Sequence, residues 1–288
     1  MQERGAAGHA AAAAIRLTKL SRSLPAVLAA YEIPNQDDDL MHLIVTVEAD
    51  VVNRFAADTT NTFALASEAP IPLTSGTAAR FVVFRDALGV DQVAIIVGKP
   101  DFTQPVPVRL HSACLTGDVF GSRRCDCGDQ LRLALARLES FGGGVIPCMA
   151  QEGRGIGLAN KMRAYRLQDG GLDTRDANTT LGFEDDERDY GVAASMLRTL
   201  NCTRIVLLAN NPAKMDGLTK AGIEAVRDQR EAPLRPNADL AKKPAKPPIH
   251  VFEQKTIVAT SPGLHLGRRG RPAEPGRHIP RRRRRVRL

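Results

Sequence analysis

The 288 residues are 43% hydrophobic and 25% charged, enough for one good-sized core or two small ones, and no run of about 18 apolar residues offers a membrane span. Five cysteines, an odd and tightly clustered set, argue against a disulfide framework and suit a reducing cytoplasm. The net charge of +8 is unevenly held: from Lys242 onward four Lys and ten Arg face two Glu, so that stretch carries +12 and the rest of the chain −4.

Three zones follow one another. Residues 1–68 are Ala-rich and weakly patterned, with an acidic turn at Asp37-Asp38-Asp39 and a strand expected over His42–Val47. The opening stretch holds an acidic residue and only a short Ala run, which argues against a cleaved secretory signal. Residues 69–233 alternate strand-like and helix-like runs. Arg80–Phe84 and Val93–Val97 read as strands joined by a Gly-containing turn, and Val106–Leu110 as a third. Leu131, Leu135 and Leu138 recur at helical spacing in Asp129–Phe141, which Gly142-Gly143-Gly144 ends. Val145–Met149 is a short buried strand, placed at an edge or distortion by Pro147. Helices are expected at Leu158–Gln168 and Tyr190–Leu200, and a strand at Arg204–Leu208, ended by Asn210-Asn211-Pro212. The alternation implies an α/β layer structure, a mixed sheet flanked by helices. Residues 234–288, rich in Pro, Arg and Lys without periodicity, read as a disordered tail.

Cys114, Cys125 and Cys127 fall within fourteen residues. Three thiolates plus an open position is the ligand count of a catalytic zinc, which lowers the pKa of bound water to about 7. Ordinary buried thiols are the bland alternative, and for Cys148 and Cys202, each beside an apolar run, that reading is preferred. The stretch Gln151–Gly157 is a Gly-rich loop between strand and helix, where backbone N–H groups and the forked charge of Arg154 suit a phosphate. Lys214, beyond a second strand, adds to that reading; a plain packing turn is the alternative. The acidic run Asp185–Asp189 would by itself be a solvated helix start.

Three stretches are similar to GTP cyclohydrolase II. His111-Ser-Ala-Cys-Leu-Thr-Gly-Asp118 and Arg124-Cys-Asp-Cys-Gly-Asp-Gln130 resemble its zinc segment. Gln151-Glu-Gly-Arg-Gly-Ile-Gly-Leu-Ala-Asn-Lys-Met-Arg-Ala-Tyr165 resembles its substrate loop and helix. Asp173-Thr174, Leu181-Gly-Phe183, Asp186-Glu-Arg-Asp-Tyr190 and Asn210-Asn-Pro-Ala-Lys214 resemble its catalytic region. The resemblance covers about residues 69–233. It implies a cytoplasmic, homodimeric enzyme of riboflavin biosynthesis. That enzyme opens the guanine imidazole ring of GTP, releasing formate and pyrophosphate. One Zn2+ per subunit would sit on Cys114, Cys125 and Cys127, with Mg2+ accompanying the GTP phosphates. Asp186 would be the general acid/base, and Arg188 either a nucleophile on the α-phosphate or a stabiliser of its charge. The substrate would be bound by Arg109, His111, Ser112, Gln130, Glu152, Gly153, Arg154, Tyr165, Thr174 and Lys214. Within that set Arg109, Arg154 and Lys214 take the triphosphate, and Gln130 and Glu152 recognise guanine or order the site. Thr174 contacts the nucleotide, and Tyr165 lies beside the guanine ring.

The chain departs from the family at Ala113, Ala150 and Ala209, where Glu, Arg and Thr are usual, and at Pro147. A second reading is therefore a degenerate relative that holds zinc and nucleotide but turns over weakly. Bifunctional relatives carry a dihydroxybutanone-phosphate synthase domain ahead of the cyclohydrolase, for which residues 1–68 are too short. The Arg281–Arg285 run has the charge to bind nucleic acid, but without interleaved aromatics a solvated terminus is the simpler reading.

Overall fold

The computed structural model describes residues 3–28, 45–209 and 212–228; the acidic turn at 37–39 and the basic tail lie outside them. The sheet begins as an antiparallel meander. Strands β1 (Ala64–Pro72), β2 (Ala78–Arg85) and β3 (Asp91–Gly98) pair in sequence, as period-two patterning requires. Val82 and Phe84 alternate into the core and are fully buried. The β2–β3 turn is an Asx turn, in which Asp86 Oδ1 accepts from the N–H groups of Leu88 and Val90 at 2.9 and 3.1 Å.

The second half of the sheet is parallel. Strands β4 (Val106–Val108), β5 (His111–Ser112), β6 (Gly143–Met149), β7 (Arg204–Leu207) and β8 (Glu224–Arg227) complete the order β1-β2-β3-β6-β4-β7-β8, with β5 also on β6. The Val106–Leu110 run is thus split, its end leaving β4 so that His111 and Ser112 pair higher up β6. Pro147 predicts an edge or a distortion; β6 is not an edge but central, antiparallel to β3 and parallel to β4 and β5, and the irregularity is a change of parallel partner at the proline. The proline is accommodated because it falls where the parallel partner changes. β4 pairs at Val145 and β5 resumes at Cys148, so the missing N–H lies at the gap.

Helices cover both faces. On one, Ala134 and Leu138 of α3 (Cys127–Ser140; α1 is Glu3–Leu20 and α2 Ala49–Asn61) pack on Ile95, Val97 and Ile146. On the other, α6 (Gly191–Thr199) buries Ala193, Met196 and Leu197 against Val108, Val145 and Leu207. Each such buried Leu, Ile or Met contributes roughly 1.5–3 kcal/mol. Between them run α4 (Leu158–Asp169) and α5 (Thr174–Thr180), and α7 (Pro212–Lys220) connects β7 to β8. The strand expected over His42–Val47 is not present in its described part. Val45–Val47 are exposed and lack regular structure, with no strand paired to them among the described residues, and His42–Ile44 lie outside the described residues.

Candidate active site

The carboxyl ends of the parallel strands gather the chemistry-bearing residues, as open α/β sheets do. β5 delivers Cys114 one residue past its neighbour Ala113, whose N–H donates to Met149 O at 2.8 Å. A single π-type turn, Leu115–Val119, then reverses the chain and brings Cys125 and Cys127 back at the start of α3. Asp118 fixes this reversal: its Oδ2 accepts from the Cys114 N–H at 2.8 Å and lies 2.9 Å from His111 Nε2.

The three sulfurs lie within 4.8 Å of one another, and Cys114 and Cys125 are 3.6 Å apart. Two sulfurs bound to one tetrahedral zinc at about 2.3 Å stand about 3.8 Å apart, so the donor set fits such an ion. Hydrogen bonds from Cys125 and Cys127, with Lys161 beside them, hold the Cys114 thiol far below its usual range. The same sharing raises Cys127. Two glycines make room. A side chain at Gly117 would reach within 2.9 Å of Cys125 Sγ and 3.1 Å of Cys114 Sγ, and one at Gly128 would collide with the Gly117 carbonyl. Gly128→Ala should therefore displace the π-type turn, costing about 1–3 kcal/mol of stability, readable by chemical denaturation, and weakening metal retention.

A cavity of about 410 Å³ opens above the thiols. Among the expected residues it is lined by Ser112, Cys114, Cys125, Cys127, Gln130, Glu152, Gly153, Arg154, Tyr165, Thr174 and Arg188. Arg109 and His111 do not face it. Both are buried, Arg109 donating to Leu208 O at 2.7 Å and to Gln130 Oε1 at 2.6 Å, and His111 pairing with Asp118. Arg109 thereby orients Gln130, which does face the cavity, and His111 acts through Asp118 on the backbone of Cys114. Asp186 stands behind Arg188, which donates to both of its oxygens, at 2.7 and 2.5 Å. Burial would raise this carboxyl, but the guanidinium prevails and holds it below the usual value. Lys214 lies off the lining, with Nζ 3.2 Å from Leu110 O; burial, then Arg109 and Arg188, bring its pKa down to about 7.

Arg154, at φ +62°, has its guanidinium 3.2 Å from Asp185 Oδ1. Thr174 opens α5 behind the capping Asp173. The Tyr165 ring is covered by the Arg124 guanidinium at 4.4 Å. Two contributors escaped the sequence reading. Asp118 is one; the other is Lys161, 8% exposed, whose Nζ lies 2.9 Å from Cys114 Sγ, 2.7 Å from Glu152 Oε1 and 3.0 Å from Thr116 Oγ1. Its spacing from Tyr165, four residues on the same helix, was the available signal. Glu152 Oε2 accepts from Leu115 N at 2.7 Å, so this carboxylate orders the site from within.

The model of the GTP cyclohydrolase II family matches residues 64–230, more than half of the chain, including the eight strands of the described residues and the thiol cluster. This chain belongs to the GTP cyclohydrolase II family. It is 48% identical over 213 residues to the protein of Xylella fastidiosa named GTP cyclohydrolase-2, covering 74% of this chain and 54% of that one. Against the Azospirillum brasilense protein of the same name the identity is 44% over 224 residues, 76% of this chain and 58% of the relative. A Parabacteroides distasonis protein named riboflavin biosynthesis protein RibBA is 51% identical over 150 residues, 52% of this chain and 37% of its own. The chain thus spans about half the length of the curated GTP cyclohydrolase-2 relatives it matches. Of the departures from the family, Ala113 lines the cavity beside Cys114, and the Ala150 carbonyl accepts from Arg22 at 3.0 Å.

Proposed function

We propose that this chain hydrolyses GTP in a zinc-dependent reaction. The products would be formate, pyrophosphate and 2,5-diamino-6-(5-phosphoribosylamino)pyrimidin-4(3H)-one, in the first step of riboflavin biosynthesis. The observation that carries the reading is three sulfurs within 4.8 Å of one another in the wall of a cavity that also presents Arg154, Arg188 and Glu152. Balance requires three waters: one at the α–β phosphoanhydride, one to open the ring at C8 to a formamide, one to release formate. Cys114, Cys125 and Cys127 would hold Zn2+, which when bound makes water nucleophilic near neutrality.

The residues of the chain divide the remaining work. Asp186, held ionised by Arg188 behind the cavity lining, would accept a proton at neutral pH across one bridging water and return it to a departing nitrogen. Arg188 is favoured as a charge stabiliser of the α-phosphate. Burial would lower its pKa, but the hydrogen bond to Asp186 outweighs that and raises it, which opposes the deprotonation a nucleophile needs. Arg154 and Lys214 would take the triphosphate together with Mg2+, and Arg109 would act through Gln130, next to the base. Tyr165, with one face on Arg124, offers an edge and a hydroxyl to the guanine side. A reducing cytoplasm would keep the thiols available. A homodimer, the family's assembly, draws support from the wholly exposed edge strand β1 with Leu65 and Ile71 outward; light scattering reads it directly.

The test is formate release from GTP by the purified chain, zinc-replete and after chelation. Turnover that persists at full rate in the chelated protein would contradict the reading. Because a deprotonated Lys214 carries no charge for phosphate, KM for GTP should rise as pH passes upward through about 7. Lys214→Met should flatten that rise. A second reading, a zinc- and nucleotide-binding protein with weak or altered activity, is favoured by Ala113 in the cavity wall. Ala113→Glu should then raise turnover severalfold; no gain counts against it.

A further inference from the structure

Residues 15–25 lie outside the stretch matched by the family, yet Lys19 and Arg22 touch the site at four places. Lys19 Nζ donates to Glu187 Oε1 at 2.6 Å. Glu187 separates Asp186 from Arg188, and its own N–H donates to Arg154 O at 3.1 Å, so it already joins the Gly-rich loop to the Asp185–Asp189 run. Arg22 grips the same loop at both ends. Its guanidinium donates to Ala150 O at 3.0 Å, its stem packs 3.1–3.2 Å from where a Gly157 side chain would begin, and its carbonyl accepts from the fully buried Asn160 at 2.9 Å. Gly157, at φ +85°, leaves the space that the Arg22 stem fills.

The backbone of Arg22 is the second, independent sign. α1 ends in a Schellman motif, Ser23 N donating to Thr18 O and Arg22 N to Lys19 O, both at 2.9 Å. This places Arg22 at φ +56°, the left-handed position that glycine holds without strain. A strained arginine is explained by what its side chain holds. Nor is α1 packed flush on the domain. A cleft of about 600 Å³ lies beneath it, lined among others by Ile15, Phe55, Phe183 and Val192, so that beside the packing of α1 on α2 the polar fasteners at its end hold it to the site.

We infer that Lys19 and Arg22 are positioning residues of the nucleotide site, clamping the Gly-rich loop 151–157 against the Asp186–Arg188 turn. The inference rests on the proposed cyclohydrolase reading for its catalytic consequence, but not for its structural one. Arg22→Gly in the full chain separates the two roles, because it relieves the strained backbone while removing the clamp. The melting temperature should stay level or rise. Amide exchange at 153–157 and 185–188 should quicken by about tenfold or more, exchange in β2 and β3 should stay unchanged, and KM for GTP should rise by about tenfold, the equivalent of ~1.4 kcal/mol. Lys19→Met should act likewise, and Arg22→Lys should restore much of the protection. Unchanged exchange at 153–157 in both Arg22→Gly and Lys19→Met overturns the clamp, as does faster exchange spread equally through β2 and β3. If the unmutated chain releases no formate while exchange responds as described, the reaction is misassigned and the clamp stands.

Discussion

Cys127→Ser is expected to give a folded chain that copurifies with well under one equivalent of zinc and loses formate release from GTP by ~10³-fold or more. The thiol cluster has no fourth sulfur to substitute, since Cys148 and Cys202 lie in the core clusters, both pushed up to about 12 mainly by burial. Without a Lewis acid, water keeps its ordinary pKa near 15.7, against about 7 on a protein-held zinc, and hydroxide becomes scarce at neutral pH. Elemental analysis paired with a formate assay measures both losses on one preparation. Cys202→Ala, far into the core at 1% exposure, should cost stability while leaving zinc content and turnover within about twofold. Full zinc content in Cys127→Ser would remove the thiol cluster from the account.

Asp186→Asn should keep its zinc and lose kcat by ~10²–10⁴-fold, the range that positioned acid–base groups supply. KM should move little, because Asp186 stands behind Arg188 and not in the cavity lining. The sign of the pH effect follows from the same pair. The folded carboxyl lies below its unfolded value near 3.9, so its contribution to stability is present above that value and is lost as pH falls through the lower, folded one. The acid limb of the kcat profile should accordingly sit below the usual carboxylate range, and Arg188→Ala should shift it upward. A limb that stays in place when Arg188 is removed would sever the pair from catalysis.

The strands of the central sheet were legible because their side chains alternate or run apolar: Val82 and Phe84 point inward on β2, and Val145 and Ile146 are buried on both sides. β1 was not, since all nine of its residues are exposed and two are proline, leaving no pattern to read. α7 hid behind Asn210-Asn211-Pro212, read as a strand stop although Pro is also favoured at a helix's first turn. In the site, the cysteine spacing carried the thiol cluster outright. The orienting roles of Arg109 and His111 could not be read that way, because each depends on a partner, Gln130 or Asp118, brought up by the docking of α3 or the fold of the π-type turn. Lys161 stayed hidden for a simple reason: a lysine in a basic helix reads as solvated until the helix is docked with it inward.

That inward lysine bears on how the thiol cluster is balanced. With an ammonium 2.9 Å from Cys114 Sγ and 2.7 Å from Glu152 Oε1, the sulfur cage has a counter-charge of its own beside any ion it holds. Small zinc-nucleated domains, by contrast, unravel when stripped. Starving this protein of metal should therefore idle it without unfolding it, and resupply should restart it without a round of refolding.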